Sequence, residues 1–152
     1  MGKQSMRLLV VDDEKRFLET TEKLLAKKGY DAITAASGEE ALAALSVHPV
    51  HVVILDVKMP GMDGNEVLKE IKRRHPLVEV IMLTGHATVE SAIDGLKAGA
   101  ADYLMKPADI NELVAKAEEA FSRQRQVEEK IRVAQIRHTT GSARRILDEA
   151  ES

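Results

Sequence analysis

His51-Val-Val-Ile-Leu-Asp56 carries a run of aliphatic side chains that ends on a carboxylate. An apolar run without polar alternation reads as a strand covered on both faces, the condition of an inner strand in a parallel sheet. Outward from it the same punctuation recurs. Arg7–Val11, Ala32–Ala35, Val80–Leu83 and Ala101–Met105 are short runs rich in Val, Ile, Leu or Ala, which with His51–Leu55 give an expectation of five strands. The segments between them have helical spacing. Glu14–Lys28 places Phe17, Thr21, Leu24 and Leu25 on one stripe and stops at Gly29, a residue suited to a left-handed cap. Ser37-Gly-Glu-Glu40 has capping-box spacing before Ala41, Leu42 and Leu45, and Asp109-Ile-Asn-Glu112 has it before Leu113 and Val114. Asp63 is placed to cap a helix over Asn65–Arg74, and Thr88 one over Val89–Ala98. Strands alternating with helices require right-handed crossovers, so the fold class is α/β, a doubly wound (βα)5 unit with helices on both faces of a parallel sheet.

Composition narrows the function. The 152 residues hold 22 Lys plus Arg and 25 Asp plus Glu, and a net charge of −3 gives no general attraction to nucleic acid. Four aromatic residues, Phe17, Tyr30, Tyr103 and Phe121, are too scattered to stack bases, so no direct nucleic-acid contact is expected. Cysteine is absent, which excludes a disulfide framework, a thiolate metal site and thiol catalysis. No apolar stretch approaches the roughly 20 residues of a membrane span, and the polar start Met-Gly-Lys-Gln-Ser-Met lacks a signal-peptide core, so a cytoplasmic protein without membrane contact is expected. Charge is uneven: residues 1–121 carry 15 basic and 20 acidic side chains, whereas 122–152 carry 7 and 5.

The strand ends carry the chemistry. Asp12 and Asp13 follow the first strand, Asp56 the third, Thr84 the fourth and Lys106 the fifth. In a doubly wound sheet all carboxyl ends share one edge, and ligands bind there. Singly, each residue has an ordinary structural role as a cap, a turn former or a solvated end. Jointly, three acids, a hydroxyl and a cation at the same register point to one site. Carboxylates ~4 Å apart repel by about 4 kcal/mol each pair at an effective dielectric near ~20, which calls for a cation beyond Lys106. A hard divalent ion that accepts oxygen ligands, Mg²⁺ above all with Mn²⁺ as the substitute, suits such a cluster beside phosphate. A carboxylate screened in this way can attack a phosphoryl group and become an aspartyl-phosphate.

Through Leu-Val-Val-Asp-Asp-Glu (9–14), Ile-Leu-Asp-Val-Lys-Met-Pro-Gly-Met-Asp-Gly (54–64), Met-Leu-Thr-Gly-His-Ala (82–87) and Gly-Ala-Ala-Asp-Tyr-Leu-Met-Lys-Pro (99–107), the chain resembles the receiver domain of two-component response regulators over residues 6–121. The resemblance implies a flavodoxin-like three-layer sandwich with strand order 2-1-3-4-5 and, here, an extended C-terminal helix. It implies Asp56 as the phosphoacceptor for a sensor histidine kinase or phosphotransfer protein. Asp12 and Asp13 would hold Mg²⁺, Asp13 directly and Asp12 through water, together with Asp56 and the backbone carbonyl of Lys58. Lys106 and Thr84 would engage the phosphoryl oxygens, Tyr103 would turn inward as Thr84 moves, and Lys106-Pro107 would be a cis peptide. Lys58 and His86 would flank the path of an attacking water. The implied protein is a switch that catalyses only its own phosphotransfer and dephosphorylation.

His48, His51 and His75 lie away from this edge and are expected to be solvated. Gly95 inside the fourth helix costs about 1 kcal/mol relative to Ala and suits a weakly held, mobile element. Beyond Phe121 a helix is expected to about Arg137, with Thr139-Thr140-Gly141 breaking it and a loose tail or a short terminal helix to 152. Positions 113, 117, 120, 124, 127, 131 and 134 form a heptad seam with Gln124 as its polar member. Either this seam pairs two chains, giving a homodimer through the face of the fourth helix, fifth strand and fifth helix, or the helix folds over its own domain. Residues 122–152 are too few for an ATPase or a three-helix DNA-binding output. A downstream protein partner is therefore expected, or the chain is part of an enhancer-binding transcription activator, whose receivers the Leu83-Thr-Gly-His-Ala87 stretch resembles. Two other classes share parts of the pattern. A flavodoxin-like electron carrier needs a Ser/Thr/Gly-rich phosphate loop where Asp12-Asp13-Glu14 stands, and an aspartyl-phosphate phosphohydrolase needs an acid where Lys58 stands.

Overall fold

The computed structural model describes residues 6–57, 63–85 and 89–151, with side chains as far as 138 and none at 89. The elements are β1 (Arg7–Val11), α1 (Lys15–Lys27), β2 (Asp31–Ala35), α2 (Gly38–Val47), β3 (Val52–Asp56), α3 (Gly64–Arg74), β4 (Glu79–Thr84), α4 (Val89–Lys97), β5 (Asp102–Met105) and α5 (Ile110–Glu151). All strand pairs are parallel, in the order β2-β1-β3-β4-β5. This is the doubly wound α/β architecture expected, and β3 with its five buried residues is the central strand.

Alternation along the strands divides the core between the two sheet faces. Leu9, Val11, Val53, Leu55, Val80 and Met82 pack with Ala41 and Leu45 of α2 and Val67, Leu68 and Ile71 of α3. Leu8, Val10, Val52, Ile54, Ile81 and Leu83 point the other way, onto Leu18 and Leu25 of α1 and Leu113, Ala117 and Phe121 of α5. Among the described residues no helix is long and apolar enough to cross a membrane.

The local signals act as their chemistry dictates, with some changes. Gly29 takes φ +87° after α1, and Ser37 Oγ accepts from the Glu40 N–H at 3.1 Å. Glu40 reaches past its capping partner to accept from the Ala36 N–H at 2.6 Å. Asp63 and Asp109 accept from the N–H groups of Asn65 (3.3 Å) and Asn111 (2.9 Å), while Thr88 lies outside the described residues. The α1 stripe is rotated from the expected one. Leu18, Thr21 and Leu25 are buried, Phe17 flanks them half-buried, and Leu24 is exposed, because side chains three and four apart share one face and Leu18 centres it. His51 is half-buried rather than solvated. Its Nδ1 accepts from the Arg7 N–H at 2.9 Å, and its ring lies 4.8 Å from that of Phe121.

The α5 helix runs 42 residues and passes through Thr139-Thr140-Gly141 without a break. Glycine and threonine each cost about 1 kcal/mol or less in a helix interior, and the neighbouring Ala, Arg, Leu and Glu favour it. The heptad seam is divided. Leu113, Ala117, Ala120 and Gln124 are buried against their own domain, whereas Val127 and Ile131 are 44% and 42% exposed. One helix stripe can be covered only once, so the first half of the seam is unavailable to a second chain.

Burial lowers the pKa of His51, opposed by Glu128 and reinforced by Arg7 and Arg125. A depressed folded-state value means that the unfolded chain binds the extra proton first. The His51 contribution is thus complete above its ordinary pKa of 6.5 and lost as pH falls from there through the folded-state value. His51→Gln, which keeps an acceptor but cannot titrate, should narrow the difference in urea midpoint between about pH 7.5 and about pH 5.5 relative to wild type.

Candidate functional site

The register β1 to β3 pairs Val11 with Leu55, so the residues that follow, Asp12 and Asp56, emerge side by side at the carboxyl edge. Asp12 is held from both directions. Its N–H donates to the Ala35 carbonyl of β2 at 3.1 Å, and its Oδ1 accepts from the Glu14 N–H at 2.9 Å. Its side chain is buried, that of Asp56 nearly so, and that of Asp13 is exposed. Carboxylate oxygens from Asp12, Asp13 and Asp56 all lie within 4.8 Å of one another. Two of the three acids are thus drawn out of water while the third faces it.

The cation comes from the far side of the sheet. Lys106 follows β5, its N–H donating to the Thr84 carbonyl at 2.7 Å, and Thr84 is the buried last residue of β4. The Lys106 ammonium pairs directly with Asp12 Oδ2, stands 3.9 Å from Asp56 Oδ1, and lies 4.3 Å from the centre of the Phe17 ring. The Lys106–Pro107 peptide is cis. Among the described residues the Lys106 ammonium meets Asp12 and Asp56 of the three acids, and the oxygen donors match what a hard divalent cation accepts. Lys58 and His86 lie outside the described residues.

Three residues matter here in ways their sequence positions do not announce. Phe17, which reads as a core position, lays its ring under the Lys106 ammonium, an attraction of about 0.5 to 2 kcal/mol. Gly64 opens α3 directly against the chain leaving Asp56: its N–H donates to the Val57 carbonyl at 2.9 Å, and a Cβ there would stand 2.6 Å from Val57 Cα and 2.8 Å from the Asp56 carbonyl oxygen. Among the described residues of α4 Gly95 is the buried one, and a Cβ on it would lie 3.1 Å from Tyr103 Cε2. Its absent side chain serves close packing, in addition to weakening the helix. None of these contacts has a local sequence signal, since each joins residues of different elements whose approach is set by packing.

The family model of the response regulator receiver domain matches residues 8–118. The chain belongs to this family. The receiver is 44% identical over 113 residues to the DNA-binding transcriptional regulator NtrC of Salmonella typhimurium, covering 74% of this chain and 24% of that protein. It is 38% identical over 122 residues to the transcriptional regulatory protein ZraR of Escherichia coli, covering 80% and 28%. Among solved structures, a CheY-like receiver domain protein from Methanospirillum hungatei superposes with a TM-score of 0.77 at 33% identity, covering 81% of this chain and 98% of that one. NtrX from Brucella abortus gives 0.79 at 32% identity over 86% of this chain and 30% of its own. The receiver thus spans about a quarter of the length of the curated relatives it matches, 24% in NtrC. Membership of the family, with acids in the first loop, sets aside the flavodoxin-like carrier and the phosphohydrolase.

Crowded carboxylates should make the metal-free receiver pay in stability. Asp13→Ala removes one of three mutually repelling charges without removing a buried group, so its unfolding midpoint in chelator should equal or exceed that of wild type. A clear loss would assign Asp13 to helix capping.

Proposed function

We propose that Asp56 of this receiver accepts a phosphoryl group from a sensor histidine kinase or phosphotransfer protein, in a reaction that depends on Mg²⁺. The observation that carries the proposal is the convergence of Asp12, Asp13 and Asp56 within 4.8 Å beside the Lys106 ammonium. A carboxylate oxygen of Asp56 attacks phosphorus, the bond from phosphorus to the donor imidazole breaks, and its electron pair leaves with the imidazole. Asp12, Asp13, Asp56 and the backbone carbonyl of Lys58 would hold Mg²⁺, or Mn²⁺ in its place, whose charge lets an anionic nucleophile approach an anionic donor. Lys106 is poised to exchange its contact with Asp12 for a phosphoryl oxygen, and the Thr84 hydroxyl binds another. Charge-assisted bonds of this kind are roughly twice as strong as neutral ones.

The switch follows from those two contacts. Thr84 ends β4, and its carbonyl already receives the Lys106 N–H of the β5 end, so drawing both toward the phosphate shifts the edge next to α4. Tyr103, whose hydroxyl is already buried and whose ring borders Gly95, settles further inward with it. Moving such an equilibrium from 1:99 to 99:1 takes about 5.5 kcal/mol of differential stabilisation, within reach of two phosphate contacts and a metal. On this reading residues 6–121 are the receiver and 122–152 a helical extension, and the protein catalyses only its own phosphotransfer and dephosphorylation. Output goes to a downstream protein. The paucity of aromatics and the excess of acids in residues 1–121 support protein contact rather than nucleic-acid contact for this segment. The DNA-binding named for NtrC belongs to a protein of which the receiver spans 24%. A bacterial cytoplasmic setting, where a kinase can reach Asp56, agrees with the absence of cysteine from the sequence.

A small phosphodonor with Mg²⁺ should add one acid-stable, base-labile phosphoryl group, read by intact mass, to wild type and none to Asp56→Asn. Chelation or Asp13→Ala should abolish the addition while the protein stays folded. Equal labelling of wild type and Asp56→Asn would overturn the assignment.

The distal α5 stripe supports a homodimer in which Val127 and Ile131 pair with a second copy, these being 44% and 42% exposed. A conformational change that favours this pairing must itself be favoured by it, and such coupling of about 1 to 3 kcal/mol corresponds to a 5- to 150-fold change in dimer affinity. Sedimentation with and without phosphodonor should register that change. Ile131→Asp should weaken the dimer and leave Asp56 labelling intact, and indifference to both would make the extension a monomeric helix.

A further inference from the structure

Asn65 Oδ1 in α3 and the Tyr103 hydroxyl in β5 are shut away from water with no hydrogen-bonding partner among the described residues. They meet at one place. A Cβ on Gly95 of α4 would lie 3.1 Å from Tyr103 Cε2 and 3.8 Å from Asn65 Oδ1, so the ring and the amide both border the same glycine. One group donates and the other accepts. Buried polar groups are rarely left unpaired, and a complementary pair standing apart beside a glycine marks an element with a second arrangement close at hand.

We propose that Asn65 is the positioning residue for the inward state of Tyr103: the hydroxyl donates to Asn65 Oδ1, and Gly95 is the slot that lets the ring reach it. This rests on the reading that Tyr103 reports the state of Asp56, and it names the side chain that receives the report. The rest of α4 permits the movement. Ile93 and Leu96 are 45% and 47% exposed, and Gly95 is the residue of α4 that is buried among those described, so sliding α4 over the ring sacrifices little apolar packing. The α3 end is fixed by comparison. Val67, Leu68 and Ile71 are fully buried, and Gly64 is clasped to Val57, so Asn65 offers a stationary acceptor at the root of a rigid helix.

Tyrosine-ring and hydroxyl-proton NMR of the whole chain tests this, the signals of Tyr30 and Tyr103 being told apart with Tyr103→Phe. A Tyr103 hydroxyl proton in slow exchange with water is expected, strengthened by phosphodonor and Mg²⁺. Asn65→Leu should abolish it and remove most of the phosphorylation-linked ring shift, whereas Asn65→Asp, which keeps an acceptor and suits a helix N-terminus, should retain both. Gly95→Ala, which favours the helix and so keeps the fold, should also suppress the hydroxyl signal and serves if Asn65→Leu does not fold. An unchanged signal in Asn65→Leu and Gly95→Ala, or equal loss in Asn65→Leu and Asn65→Asp, would overturn the pairing. Intact mass on the same samples separates the two readings. If wild type takes up no phosphate but the hydroxyl signal depends on Asn65, the pairing stands and the phosphoacceptor reading falls; with no hydroxyl signal in any sample, the pairing falls.

Discussion

Repulsion among Asp12, Asp13 and Asp56 is the constraint around which the carboxyl edge is built. Their oxygens lie within 4.8 Å of one another, and Asp12 and Asp56 are withdrawn from the water that would otherwise screen them. An arrangement that costs electrostatic energy persists only where the surrounding structure over-determines it. Here the β1–β3 register fixes Asp12 beside Asp56, the Ala35 carbonyl and the Glu14 N–H hold Asp12, and Gly64 lets α3 close against the chain that leaves Asp56. Lys106 answers part of the charge and is itself seated on Phe17. The same concentration of charge that strains the free domain gives it a use for a cation.

The helices divide into fixed and loosely held ones according to what they bury. Both sheet faces are covered by helices carrying several fully buried apolar side chains, α2 and α3 on one side and α1 and α5 on the other. The α4 helix differs, with Ile93 and Leu96 turned to solvent and Gly95 turned inward onto Tyr103. An element with few buried apolar contacts opens at low cost, and such elements are where conformational change is drawn from. It lies beside β5, the strand that delivers Lys106 to the acids.

The α5 helix shows how one periodic sequence serves two surfaces. Leu113, Ala117, Ala120 and Phe121 close the core, and Lys116 pairs with Asp102 of β5 at 2.9 Å. Gln124 is the last buried member of the stripe, and its Oε1 has no partner among the described residues. Past it the stripe continues through Val127 and Ile131, which are exposed. The transition falls where the helix outruns the sheet.

The alternation of short aliphatic runs with capped helical segments determined the fold by itself, because strand and helix periods and the handedness of crossovers are local properties that admit few topologies. The candidate site was readable for the same reason: in a parallel sheet every strand ends on the same edge, so Asp12, Asp56, Thr84 and Lys106 had to converge. Tertiary structure alone decided which neighbours those residues meet. Phe17 beneath Lys106 and His51 accepting from Arg7 join distant segments, while Gly64 against Val57 and Gly95 against Tyr103 join neighbouring elements; all are set by helix rotation and strand register to within a few ångströms. Leu24 and Leu18 exchanged places on α1 by the same cause, since a helical stripe read from hydrophobicity fixes its face only to within a residue. The heptad seam of α5 was likewise present in the sequence, but how far the sheet extends beneath it depends on the packed length of β3 and β4, which no local pattern encodes.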